Sequence, residues 1–247
     1  MDKIADRDIP NIFFEKMLEL GIGQEYFRFL IDNKKARQNL AKHLKLEMER
    51  TLATSSAAKG YNLARAILRQ DFISPEEIAH KRRLPYEKKE LKHFLVTLPD
   101  KIIKIFENNC ILMAGPPKLM GLLKIRTIKS RLFLIREGGW FAEPRQRFSR
   151  DDVVSPEWII LRKDVSSEQE KKQEGEYIPN VAEVLWIITT YKKIRDAWLI
   201  NHSSIKTSSV DADGYPVFVG VTNGGITISN HRNIKYDNPG LLYAWRT

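Results

Sequence analysis

The chain has 247 residues, of which 43% are hydrophobic and 29% are charged, and its formal net charge is +10 at pH 7. This composition is ordinary for a globular protein and argues against disorder over most of the length. The single cysteine, Cys110, excludes an intramolecular disulfide and a cysteine-rich zinc site, whereas the basic balance fits either simple solubility or an anionic partner.

The N-terminus shows no targeting or anchoring signal. Its first residues, Met1 to Asp8, lack a basic region followed by an apolar stretch, and they contain no cysteine for a lipid anchor. No apolar run approaches the ~18 residues that a membrane-spanning helix needs. We therefore expect a cytoplasmic protein that does not associate with a membrane.

Residues 11–100 are predicted to be mostly helical. Leu40, Leu44 and Met48 are spaced by four among charged residues, which indicates a helix with a narrow apolar stripe. The run Ser74-Pro75-Glu76-Glu77 predicts a helix start, because serine caps and proline suits the first helical position. We expect that helix to end before Pro85, and further helices over 86–95 and 101–108.

From Cys110 onward the pattern changes to short apolar runs. The run over 111–114 is closed by the turn residues Gly115-Pro116-Pro117, and the runs over 132–135 and 158–161 predict strands. Cys110 itself is expected to be a buried, unreactive thiol. The charged stretch 163–176 is expected to be a loop, and Asn180 is expected to begin a helix that ends near Tyr191 or Arg195.

The C-terminal stretch predicts a hairpin. Val217 and Val219 alternate as strand residues do, and so do Ile226 and Ile228. Gly224-Gly225 between them predicts the turn. The stretch from Tyr215 to Trp245 is otherwise rich in Tyr, Asn, Ser, Thr and Asp, the side chains that antibody-like binding surfaces favour.

Several segments occur in an order that resembles a known family. Thr207-Ser208-Ser209 precedes the hairpin, and the segment Gly240-Leu241-Leu242-Tyr243-Ala244-Trp245-Arg246 closes the chain. Upstream stand Gly138-Gly139-Trp140-Phe141 and Pro179-Asn180-Val181-Ala182-Glu183, in which Asn180 replaces the Thr of a Pro-Thr-x-x-Glu helix start. Together they resemble the variable proteins of diversity-generating retroelements, which have a C-type-lectin fold of the formylglycine-generating-enzyme type.

The resemblance implies an α+β fold with two parts. A helical N-terminal region, residues 1–100, would precede a C-type-lectin-like domain, residues 101–247, with short, irregular antiparallel strands. Trp140, Trp158, Trp186 and Val217 would pack the scaffold. A diversified surface would bind a variable target, a protein, through Tyr215, Phe218, Thr222, Asn223, Thr227, Ser229, Asn230, His231, Asn233, Tyr236, Asp237, Asn238, Tyr243 and Trp245.

In that family the variable positions arise by mutation of adenines. Asn, Tyr, Asp, Ser, Thr and His can all be reached from an AAC codon in this way, which suits the composition of this segment. Lys235 and Trp245 cannot be reached so, and Pro239 and Leu241-Leu242 also depart from the family's common run. The limits of the variable set therefore stay open.

Enzymatic and metal-dependent uses of related folds are not expected. Formylglycine chemistry needs two cysteines, and only Cys110 is present. Arg145 in Glu143-Pro144-Arg145 cannot ligate calcium, and the turn with Asp211 and Asp213 lacks the Glu that closes an EF-hand loop. The five histidines form no zinc motif, and no Gly-x-Ser-x-Gly motif occurs. We expect no catalytic residue, no metal and no cofactor.

Nucleic-acid binding is the alternative function. Basic clusters at 34–37, 42–45 and 80–83 lie in sequence predicted to be helical and could contact phosphates, although a solvated helix face explains them more simply. A third possibility is that these helices bind another protein or oligomerise, and the oligomeric state stays open.

Overall fold

The computed structural model describes residues 18, 19, 21, 23–42, 58–98, 110–163, 174–200, 204–230 and 240–246. The chain divides between Thr54 and Ser55 into an N-terminal unit and a C-terminal unit. In the N-terminal unit, helix α1 spans Gln24–Asp32, and residues 34–42 are also helical. Asn33 separates these helices, and its Oδ1 accepts a hydrogen bond from the Ala36 N–H. None of the described side chains of α1 is buried.

The C-terminal unit begins with three helices, α2 (Lys59–Leu68), α3 (Pro75–Arg82) and α4 (Lys88–Thr97). The predicted helix start is confirmed, because the Ser74 Oγ accepts a hydrogen bond from the Glu77 N–H at 3.2 Å and Pro75 is the first helical residue. Arg83 ends α3 in the left-handed conformation, two residues before Pro85. The mostly helical character of this region is confirmed for its described residues. The helix predicted over 101–108 lies outside them.

The boundary predicted at residue 100 differs from the one observed, because α2, α3 and α4 belong to the same compact unit as the sheets. Strand β1 (Phe72–Ile73), which the sequence did not predict, pairs in parallel with β2 (Cys110–Ala114). The Phe94 ring from α4 meets the Trp158 ring edge-on at 5.2 Å, and the Trp158 Nε1–H donates to the Phe94 carbonyl oxygen. These contacts tie the helices to the core.

The first sheet has the order β1-β2-β5-β10, with β5 at Trp158–Arg162 and β10 at Ala244–Arg246. Strand β5 is antiparallel to both neighbours, and Ala114 on β2 lies opposite Trp158. The strand predicted over 158–161 is confirmed, and the apolar run over 111–114 lies in β2. Cys110 is buried as expected.

Between β2 and β5 the chain forms short elements. Strands β3 (Met120–Gly121) and β4 (Val153–Val154) pair with each other, and helices α5 (Leu122–Ile128) and α6 (Phe148–Asp151) lie between them in sequence. The strand predicted over 132–135 is wrong. A 3-10 turn at Ser130–Leu132 leads to one isolated bridge, from Phe133 to Ile226, after which the chain turns away.

Helix α7 (Val181–Arg195) confirms the helix predicted from Asn180. The Asn180 Oδ1 accepts from the Glu183 N–H, and a Glu183 carboxylate oxygen accepts from the Asn180 N–H, both at 2.9 Å. Such a reciprocal cap satisfies two backbone donors that a helix start would otherwise leave open. The first ten residues of α7 are all buried, which makes this helix the centre of the unit.

The second sheet has the order β8-β7-β6-β9, formed by Ser204–Val210 (β6), Pro216–Thr222 (β7), Gly225–Asn230 (β8) and Gly240–Leu241 (β9). The predicted hairpin is confirmed, with its turn one residue earlier than expected. Thr222 pairs with Gly225, so Asn223 and Gly224 form the loop. Gly225 has a φ of +122°, and a Cβ there would lie 2.6 Å from the Leu132 carbonyl oxygen, so this position requires glycine.

The C-terminal unit is therefore a mixed helix-and-sheet structure, as an α+β class implies. Trp158, Trp186 and Val217 are fully buried, as predicted for scaffold residues, whereas Trp140 is only partly buried. Among the described helices, none combines the length and the apolar character needed to span a bilayer.

Candidate functional site

An open apolar cavity of about 210 Å³ lies beside strand β8. Residues 226–229 of β8 form one wall, and residues 133–135, 140 and 141 form the other. We call this cavity the β8 groove. Its volume and its apolar lining suit a single large apolar side chain.

Two hydrogen bonds hold the second wall of the β8 groove against the strand. The Leu134 N–H donates to the Ile226 carbonyl oxygen at 2.9 Å, and the Trp140 Nε1–H donates to the Ile228 carbonyl oxygen at 3.2 Å. The Leu134 side chain is nevertheless 56% exposed, and that of Ile135 is 44% exposed. Exposed aliphatic side chains beside an open cavity are typical of a binding surface.

A cation reinforces the far end of the β8 groove. The Arg126 guanidinium lies 5.0 Å from the centre of the Phe141 ring, and its Nη1 donates to the Gly138 carbonyl oxygen at 2.6 Å. Gly138 and Gly139 have φ values of +65° and +86°, which let the chain turn sharply before Trp140. The glycine pair singled out in the sequence therefore shapes this wall.

Five of the predicted contact residues keep exposed or partly exposed side chains. Thr222 and Asn223 are exposed at the tip of the β7–β8 hairpin, and Tyr215 is 37% exposed where β7 begins. Thr227 and Trp245 are half-buried. Thr227 also lines the β8 groove, so the hairpin contributes a predicted contact residue to the cavity.

Four other predicted contact residues are buried, which corrects the expectation that they are displayed. Their side chains are between 3% and 6% exposed: Phe218, Ser229, Asn230 and Tyr243. The physical reason is that β7 and β8 are covered on both faces, since five consecutive residues of β7 are buried. The alternation of apolar and polar residues along β7 and β8 therefore does not give these strands an exposed face.

The remaining predicted contact residues lie outside the described residues. They are His231, Asn233, Tyr236, Asp237 and Asn238.

Buried Asn230 belongs to a hydrogen-bonded turn rather than to a ligand surface. Its Nδ2 donates to the Asp211 Oδ2 at 2.7 Å, while the Asp211 Oδ1 accepts from the N–H groups of Asp213 and Tyr215 at 2.9 Å each. Gly214 completes this turn with a φ of +83°. The turn interpretation of this acidic segment is confirmed. In the described part of the chain, no cluster of three or more His, Cys, Asp or Glu side chains could hold a metal ion.

The serine pair also has a structural role. The Ser209 Oγ accepts a hydrogen bond from the Val181 N–H at 2.8 Å and bonds to the Asp152 carboxylate. The Ser208 N–H donates to the Pro179 carbonyl oxygen. Both serines therefore hold the fold together, and the exposed predicted contact residues begin at Tyr215.

Sequence reasoning missed two features. The sequence predicts a strand at Leu134 and Ile135, and only their exposure beside β8 identifies them as a groove wall. The sequence places Arg82 in a basic cluster on a solvated helix face, but its side chain is only 3% exposed. Neither burial state has a signature in the local sequence.

Comparison with protein-family models, with curated proteins and with solved structures finds no match to this chain.

Proposed function

We propose that this chain is a non-catalytic binding protein that recognises a protein target with the β7–β8 hairpin and the β8 groove. The observation that supports the proposal best is the position of Thr222, Asn223 and Thr227. These three predicted contact residues lie on one hairpin, with accessible side chains at its tip and along the groove wall.

The chemistry of this surface suits a protein partner. An apolar side chain of the partner would fill the β8 groove against Leu134 and Ile135, which supplies the desolvated anchor that strong protein interfaces use. Thr222 and Asn223 would add adaptable hydrogen bonds at the rim. The buried β7 beneath them provides the rigid support that a binding site needs.

We further propose that the scaffold is C-type-lectin-like and that a retroelement diversifies the hairpin. The closing segment supports the scaffold assignment, because Gly240–Leu241 pairs with β6 and Ala244–Arg246 pairs with β5. One short stretch thus joins both sheets, which fits the closing strand of that family. The reciprocal cap at Asn180 supports the equivalence of asparagine with the family's threonine.

The retroelement part is tested in the genome that encodes the chain. We expect a near-copy of the coding sequence for residues 215–245 beside a reverse-transcriptase gene, with differences only at adenines. Its codons for the exposed hairpin residues should differ most. A complete genome without such a copy would refute diversification and leave the binding proposal to the next experiment.

The binding part is tested by selection from a library displayed on yeast. The library randomises Tyr215, Thr222, Asn223 and Thr227 and is selected against hen egg-white lysozyme as a defined protein target. We expect folded binders whose affinity falls at least about tenfold with Leu134→Asp. Leu119→Asp is the matched control, because Leu119 is 66% exposed but lies outside the β8 groove. Unfolding of most library members, or equal effects of the two aspartates, would contradict the proposal.

A further inference from the structure

Arg82 at the end of α3 is a buried cation without a carboxylate partner in the described part of the chain. Its side chain is 3% exposed, its guanidinium carbon lies 4.1 Å from the centre of the Trp186 ring, and its Nη1 bonds to the Thr190 hydroxyl oxygen. Its Nε and Nη2 are buried and make no hydrogen bond. Burial lowers the pKa of this guanidinium to about 10, so it is charged at neutral pH.

Arg195 on α7, by contrast, is a cation whose charge is compensated by a carboxylate of α3. The Arg195 guanidinium bonds to both carboxylate oxygens of Glu77, the shorter contact being 2.5 Å, and it also donates to the carbonyl oxygens of Gln70 and Phe72. A buried charge without such partners is costly. Arg82 therefore lacks the compensation that the fold gives to Arg195.

Three further cations stand at the ends of α3, α5 and α7. Helices α3 and α5 both pack against α7. Arg83 and Lys129 stand at the C-terminal ends of α3 and α5, and Lys193 lies in the last turn of α7. Partial burial lowers the pKa of Lys129, and the charges of Arg82, Lys193 and Arg83 lower it further, so each of these three cations lies within electrostatic reach of Lys129.

The carboxylates of these helices are engaged elsewhere. Glu76 accepts from the Tyr61 hydroxyl at 2.7 Å, Glu77 pairs with Arg195, and Asp196 pairs with Lys192 at 3.2 Å. Within the described residues, no carboxylate forms an ion pair with any of the four cations Arg82, Arg83, Lys129 and Lys193. We call these four residues the cationic cluster.

Helix dipoles compensate the cationic cluster only in part. A helix C-terminus presents on the order of half a negative charge. The three helix ends that carry the cationic cluster therefore supply about one and a half negative charges against four positive ones. A surplus of positive charge remains around a desolvated guanidinium, where electrostatic attraction is stronger than in water.

We propose that the cationic cluster binds a phosphate group of a small anionic molecule. Arg83, Lys129 and Lys193 would contact its oxygens, and Arg82 beneath them would attract it through the weakly screened interior. One compact cluster suits a single phosphate or pyrophosphate group better than a nucleic-acid strand, which needs a series of contacts along its backbone.

The experiment uses the full chain, with inorganic phosphate and pyrophosphate as probes in separate titrations by calorimetry. Sodium chloride at matched ionic strength separates binding from charge screening. We expect saturable binding of at least one probe and a rise in Tm that chloride does not reproduce. Lys129→Gln combined with Lys193→Gln should weaken binding at least about tenfold.

Lys81→Gln is the matched control, because Lys81 is exposed on the same helix one residue before Arg82 but is not part of the cationic cluster. It should leave the affinity unchanged. Failure of both probes to bind, or an equal loss in the control, would overturn the proposal. Duplex DNA that binds in the presence of saturating pyrophosphate, with the same dependence on Lys129 and Lys193, would overturn it in favour of a nucleic-acid surface.

Arg82→Met tests the buried member, since methionine keeps an apolar stem against Trp186 without the charge. We expect this variant to be at least as stable as the parent in the absence of phosphate. Pyrophosphate should not raise its Tm. A strongly destabilised variant that still binds pyrophosphate would show that Arg82 serves the fold alone. If this variant does not fold, the Lys129 and Lys193 substitutions alone test whether the cationic cluster binds phosphate.

Discussion

At the scale of single residues, Asp211 holds the turn that precedes the β7–β8 hairpin. Its carboxylate accepts from two backbone N–H groups and from the Asn230 amide, and it is 5% exposed. Asp211→Ala leaves these donors unsatisfied, so we expect the free energy of unfolding to fall by about 2–3 kcal/mol in urea denaturation. Asp213→Ala is the control. It loses a 3.7 Å ion pair with exposed Arg145, so we expect a much smaller loss than for Asp211→Ala. Equal losses in both variants would contradict the central role of Asp211.

Cys110 allows a second prediction at this scale. Its side chain is 2% exposed, and burial raises the pKa of the thiol to about 11. Because the thiolate is the reactive form, the folded protein should resist alkylation by iodoacetamide at neutral pH and react only after unfolding. Mass spectrometry of samples with and without urea measures the difference. Rapid labelling of the folded chain would show that the thiol is accessible.

At the scale of elements, the two glycines of the β7–β8 hairpin should differ in how well they tolerate a side chain. Gly225→Ala places a methyl group against the Leu132 carbonyl oxygen at a φ of +122°, and we expect a loss of about 2 kcal/mol. At Gly224 the nearest atom is the Leu134 Cδ1, on a flexible and exposed side chain, so Gly224→Ala should cost less than about 1 kcal/mol. Urea denaturation compares the two. A larger loss of stability for Gly224→Ala than for Gly225→Ala would place the turn at Gly224-Gly225, as the sequence predicts.

The same elements show how far sequence reasoning reaches. Helix α7 could be predicted because its cap, Asn180 with Glu183, is local chemistry that the sequence displays. The strand expected over 132–135 could not be corrected from sequence, because an apolar run looks the same in a core strand and in a groove wall. Likewise, the burial of Phe218 depends on what covers the second face of β7. Contacts of that kind are made by residues distant in the sequence.

At the scale of the whole molecule, the position of the unit boundary is testable by truncation. The division lies between Thr54 and Ser55, and a fragment of residues 55–247 retains β1, α3 and α4 with their contacts to the sheets. A fragment of residues 101–247, the domain predicted from sequence, loses the β1 partner of β2, the Phe94 ring on Trp158 and the Glu77 partner of Arg195. Each loss either exposes a group that the native core buries or removes its partner. We expect cooperative thermal unfolding, with dispersed amide NMR signals, only for residues 55–247. A cooperative transition in residues 101–247 with a similar Tm would mean that the N-terminal helices of the C-terminal unit are dispensable and that the boundary near residue 100 is the physical one.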